Sequence, residues 1–136
     1  MSKGNTLETD FLSYTFTGTT FSWDGNVSLY MALHTADPGE AGDQTTSEAT
    51  YASYARKAVD RDAGAWTVTG GSVTNDSLLQ FVAASGGSNI ITHFSIGTAA
   101  SGAGQILYSG ALTSSLAVTN GIQPQFAAGA IVFTED

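Results

Sequence analysis

Apolar and polar residues alternate over much of this chain, and a period of two is the mark of half-buried β-strands. Val27, Leu29, Met31 and Leu33 alternate with Ser28, Tyr30, Ala32 and His34. Asp37-Pro38-Gly39 then breaks the strand, and residues 39–46 read as a polar, acidic loop. Residues 54–61 form a second expected strand. Residues 66–69 and 72–75 flank Gly70-Gly71, a hairpin on a two-residue turn. Strands are also expected over 78–83, 89–97, 106–112, 116–118 and 130–134. Within 89–97 an unbroken alternation places Ile90, Phe94 and Ile96 on one side. Residues 98–104 are small and glycine-rich, a loop, and Asn120-Gly121 marks another turn.

Helical spacing is confined to one segment, residues 5–14. Asn5 is placed to cap it, Glu8 stands in the capping-box position, and Leu7, Phe11, Leu12 and Tyr14 form a rough apolar side. A helix this short needs a docking surface to persist. Residues 15–20 read as a loop or short strand. About eight short strands with closely spaced turns predict an all-β fold, an antiparallel β-sandwich or a jelly-roll-like barrel, with one N-terminal helix.

The length, 136 residues, gives a single β domain over 1–136, with no tandem repeat and no linker to divide it. Net charge is −8, and Lys3, Arg56, Lys57 and Arg61 are the only bases, so a nucleic-acid partner is excluded. Apolar runs are too short to span a bilayer. The first eight residues have no apolar core or cleavage site, so no signal peptide is expected. With no cysteine, disulfides and thiolate zinc sites fall away.

Tests for chemistry find no constellation. His34 and His93 are the only histidines, both lie in expected strands, and no Gly-x-Ser-x-Gly elbow accompanies them. Asp37, Glu40 and Asp43 put three carboxylates in one loop, but without the spacing of a calcium loop. Gly70-Gly71, Gly86-Gly87 and the pair Gly102 and Gly104 lack a phosphate-loop lysine, so they read as turns. Trp66, alternating with Val68, is expected to pack between sheets. Trp23, beside Asp24-Gly25-Asn26, is the better candidate for an exposed contact, such as a sugar ring. The expectation is therefore no enzyme, no catalytic or cofactor-binding residue, and no metal site.

Charge distribution adds one positive feature. Charged residues are 12% of the chain, about half the usual share, and none lies between Asp76 and Glu135. Exposed strand edges are normally guarded by Lys, Glu, Pro or bulges, because bare edges pair with neighbouring chains. Residues 77–134 hold one proline, Pro124, and no charge. Their edges are thus expected to be closed in a barrel or covered by other subunits.

Five segments occur in a familiar order: LYMALHTADPGEAG at 29–42, YARKAV at 54–59, ITHFSIGTAA at 91–100, ILYSGAL at 106–112 and FAAGA at 126–130. This ordered set resembles a family of small tailed-bacteriophage proteins labelled phage tail fibre protein, over residues 5–136. One departure is Ser95, where the family pattern often has glycine, with an aromatic-Asp pair near Gly97-Thr98. The resemblance implies a bacteriophage virion structural protein with no catalytic residues to carry over. The expected function is a capsid decoration, or cement, subunit on the particle surface, bound to the major capsid protein. A tail fibre or tail-tip subunit bound to other tail proteins is one alternative, and a carbohydrate-binding module using Trp23 is another. Self-association is expected, with a trimer as one candidate state. The loop over 37–46 and the N-terminal segment are the expected contact places.

Overall fold

A computed structural model of the chain describes residues 2–135; Met1 and Asp136, the ends of the expected domain, lie outside the described residues. In chain order the elements are β1 (Ser2–Lys3), α1 (Asn5–Thr17), β2 (Ser28–His34), β3 (Lys57–Asp60), β4 (Trp66–Thr69), β5 (Ser72–Asn75), β6 (Leu79–Gln80), β7 (Asn89–Gly97), β8 (Ile106–Val118), β9 (Gln125–Phe126) and β10 (Val132–Thr134). The strands form a five-stranded sheet ordered β1-β8-β7-β2-β3, a three-stranded sheet β10-β5-β4 and a pair β6-β9. Every pairing is antiparallel. The sheets stay open at their edges, so the all-β sandwich is the observed architecture and the closed barrel is not.

The period of two explains the packing. Met31 and Leu33 of β2 stand opposite Ile96 and Phe94 of β7, and Leu29 stands opposite Val59 of β3. All six join one apolar cluster with Phe133 of β10, Leu79 of β6 and the buried Phe81. Phe94 and Phe133 rings lie 5.7 Å apart and Phe94 and Phe126 rings 6.5 Å, so both smaller sheets seat on the same face.

Several expected boundaries shift, each for a local reason. The alternation in β7 breaks at a bulge: Ile91 pairs with Leu116, but His93 pairs with Ala111. The bulge reverses parity, so Ile91 is buried and Ile90, expected in the core, is 61% exposed. Opposite it, residues 106–112 and 116–118 run on as one strand, β8. Val27 lies before β2 and is exposed. The strand expected at 54–61 shrinks to Lys57–Asp60, because Ser53 adopts φ 73° and the amide of Tyr54 closes a turn on Tyr51. Those at 78–83 and 130–134 shorten to β6 and β10.

Helix α1 differs at both ends. Gly4, not Asn5, is the N-cap, and no side chain caps the helix. Tertiary carbonyls do that work: the amides of Gly4 and Asn5 donate to Leu107 O and Glu40 O, both at 2.9 Å. The helix then continues through residues 15–17 to Gly18, whose φ of 70° supplies the left-handed stop. Leu7 is its one buried residue. Among the described residues no helix is long and apolar enough to cross a membrane.

Candidate functional site

Three places hold the residues that chemistry would need. The first is the pair of histidines, which the β2–β7 register sets directly opposite each other. His34 is fully buried; its Nδ1–H donates to Thr46 O at 2.8 Å, and Ser95 Oγ donates to its Nε2 at 2.8 Å. A peptide carbonyl accepts but cannot donate, which fixes the proton on Nδ1. This is half of a Ser-His relay without its carboxylate, and Ser95 is as buried as His34. Burial pushes the His34 imidazole below its ordinary pKa, against a smaller upward pull from Thr46. Ser95, the departure from the family pattern, therefore serves as a hydrogen-bond partner inside the sheet. His93 is half-buried beside the Thr92 hydroxyl at 2.8 Å.

The second place is the acidic loop. Asp37 Oδ1 accepts from the Gly39 amide at 2.9 Å, and Asp43 Oδ1 accepts from the Thr45 amide at 2.7 Å and from its hydroxyl. Those bonds hold the Asp43 carboxyl below its usual range. Glu40 contributes its backbone carbonyl to the helix N-terminus. The three carboxylates are not brought together, and among the described residues no three His, Cys, Asp or Glu side chains are placed to share a metal. The pairs Gly70-Gly71, Gly86-Gly87 and Gly102 with Gly104 sit in turns and loops, as expected.

A buried polar network beneath this loop is the feature that sequence reading missed. Arg56, whose side chain is 2% exposed, forks onto Glu48 through Nε at 2.6 Å and Nη2 at 2.8 Å. It also donates to Ala99 O at 2.9 Å and Gly102 O at 2.7 Å, pinning the loop at 98–104. Tyr54 donates to Glu48 at 2.9 Å and accepts from the Leu33 amide at 3.1 Å. Gln44, fully buried, donates to Tyr30 O at 2.9 Å and accepts from the Ala99 amide at 3.0 Å. One signal pointed here: Arg56 is one of only four bases in the chain.

The third place is a cleft of about 620 Å³ between α1, the five-stranded sheet and the β4–β5 hairpin. Phe11, Trp23, Trp66, Val68, Tyr108 and Phe133 line it, with Arg61 and Asp62. Trp66 is half-buried, with its Nε1–H on Asp60 O at 3.0 Å and its ring 6.2 Å from Phe133. Val68 is 72% exposed rather than interior. Trp23 stacks on Phe21 at 4.8 Å, and the Arg61 guanidinium lies over its ring at 5.1 Å. The chain's own side chains thus engage the stacking surface that a sugar ring would need. Its Nε1–H is buried without an acceptor among the described residues.

Helix α1, which lines the cleft through Leu7 and Phe11, also turns apolar side chains to solvent. Leu12 and Phe16, one turn apart, are 62% and 80% exposed. Such a surface suits association, not turnover. The family model described as podophage GP4 fiber I protein gp80 matches residues 2–134. The chain belongs to the podophage fibre I protein family. It is accordingly a phage structural protein of the tail fibre type, in agreement with the resemblance carried by the five ordered segments. A comparison with curated proteins returned no match. Of the two expected contact places, the loop at 37–46 is braced by its own hydrogen bonds and keeps Asp37 and Glu40 exposed, and the helix exposes Leu12 and Phe16.

Proposed function

We propose that this chain is a one-domain, non-enzymatic subunit of the phage particle that serves in the tail fibre or tail tip. It would be held to other tail proteins through the N-terminal helix. The family match over residues 2–134 carries the reading. The helix supports it, since exposed Leu12 and Phe16 would bury apolar area against a neighbour, about 1.5–3 kcal/mol each. Absence of catalysis is inferred from His34 and Ser95, which are sealed in the sheet, and from Asp37 and Asp43, which close their own turns.

A second reading, a capsid decoration subunit on the major capsid protein, is favoured by exposed apolar residues in the uncharged stretch. Val82 and Ile90 are 54% and 61% exposed there. Quantitative mass spectrometry of purified particles separates the two. A few copies per particle, lost from tailless heads, is the expected result; hundreds of copies retained on heads would replace the tail reading with decoration. Leu12→Asp with Phe16→Asp should leave the isolated fold intact and abolish incorporation. Undiminished incorporation would remove the helix from the attachment.

A further inference from the structure

The three-stranded sheet ends on a strand with no outer neighbour. Its order is β10-β5-β4, and β4 pairs with β5 alone. The β4–β5 ladder is regular, residue against residue from Trp66–Asn75 to Thr69–Ser72, with no bulge. Hydrogen bonds around the ladder fix which way each main-chain group points. Asp76 N–H donates to Ala65 O across the hairpin, so residues 65, 67 and 69 turn their main-chain groups toward β5. Trp66 N–H donates the other way, to Asp62 O, so Trp66 and Val68 turn theirs outward. Val68 N–H, Val68 C=O and Trp66 C=O therefore face outward with no partner among the described residues. Thr67, Val68 and Thr69 are exposed, and β4 holds no charge and no proline. By contrast β3, at the edge of the five-stranded sheet, carries Lys57 and Asp60 as guards.

This edge is continuous with the apolar cleft. Trp66 and Val68, two residues apart on β4, both line the cleft, as does Val73 on β5. A strand added outside β4 turns every second side chain to the same side as its partners. Its residues opposite Val68 and Trp66 would therefore lie over the cleft, and those between them would lie beside Thr67 and Thr69 on the other face. Such an edge selects an extended segment in which apolar and polar residues alternate. Charge selects what flanks that segment. Asp60, Asp62 and Asp76 are exposed around the hairpin, while the nearby base, Arg61, is tied to Asp24 O and Asp24 Oδ1. A second copy would bring the same acids and a further −8, and is repelled; Lys or Arg is attracted.

We propose that β4 is a docking edge for an extended segment of another protein, apolar at alternate positions and flanked by Lys or Arg, which joins the sheet as a new strand outside β4. Docking there is independent of attachment through α1. The test is an amide NMR titration of the full chain with the synthetic peptide Lys-Thr-Val-Thr-Val-Thr-Lys, blocked at both ends. Signals of residues 66–70 should shift and saturate, with a dissociation constant below about 1 mM. The same peptide N-methylated at both valines keeps its side chains but loses the N–H groups that Val68 O and Trp66 O would accept, and should bind about tenfold more weakly or worse. A peptide with Glu at both ends in place of Lys should lose about as much. Val68→Pro removes the outward N–H where an edge strand tolerates proline, and should weaken the Lys-ended peptide likewise. No shift up to about 1 mM peptide, shifts confined to α1, or undiminished binding in any of these three comparisons would overturn the proposal. Shifts at residues 66–70 on concentrating the protein alone would also overturn it, by making a second copy the occupant.

Discussion

At the scale of single residues, Gln44 is packed directly against two glycines, Gly97 and Gly104. A Cβ on Gly97 would overlap Gln44 Cδ and lie 2.6 Å from Gln105 O, and one on Gly104 would overlap Gln44 Oε1. Both clashes come from close approach, and Gln44 cannot retreat without breaking its bonds to Tyr30 and Ala99. Gly97→Ala and Gly104→Ala should each destabilise by about 2–3 kcal/mol in urea denaturation. Gly25→Ala, which meets nothing within 4 Å, should shift stability by less than about 0.5 kcal/mol. His34 imposes a pH dependence. Its folded pKa lies below the reference 6.5, so the unfolded chain takes up the proton first. Stability is then full above about 6.5 and falls as pH drops through 6.5 toward the folded value. Carboxylates with depressed pKa, Asp43 and Glu135, act only in more acidic solution. Denaturation midpoints measured from pH 8 to 5 should decline for wild type and lie flatter for His34→Gln. A flat wild-type profile would show that His34 makes no such contribution.

At the scale of elements, long-range clamps hold short pieces that have little stability of their own. Asn75 ends β5 and holds three residues next to β6, β9 and β10: its Nδ2 donates to Ser77 O at 2.8 Å and Ala127 O at 3.0 Å, and its Oδ1 accepts from the Ile131 amide at 2.9 Å. It is 2% exposed, so Asn75→Ala leaves buried groups without partners and should cost about 2–4 kcal/mol. Hydrogen exchange should accelerate at Ile131 more than at Met31, which lies in the five-stranded sheet; equal acceleration would mean that Asn75 holds the whole fold rather than one corner. The same contrast separates what was legible in the sequence from what was not. β2 and the β4–β5 hairpin declare themselves by alternation and by Gly70-Gly71. β1 and β9, two residues each, are too short to show a period and exist only because a distant partner is present, while the strand expected at 78–83 survives only as the two residues of β6. The bulge in β7 is set by its neighbour β8, so Ile90 and Ile91 could not be told apart locally. The cleft is harder still, since Phe11, Trp66 and Phe133 come from distant parts of the chain and, of its lining, Trp23 alone stood out in advance as a contact residue.

At the scale of the whole molecule, the surplus of acid is uncompensated. Lys3, Arg56 and Arg61 are each paired, with Glu135, Glu48 and Asp24, leaving a net −8 whose self-repulsion opposes compactness. Salt acts on both terms. It screens the exposed pairs Lys3–Glu135 and Arg61–Asp24, which are worth little, and it screens a longer-ranged repulsion among many more acids. Arg56 is 2% exposed and its bond to Glu48 is screened least. The repulsive term therefore dominates the response, and raising sodium chloride from about 20 to about 150 mM should raise the melting temperature by about 2–4 °C. A melting temperature that falls with salt would mean the surface ion pairs outweigh the acidic excess.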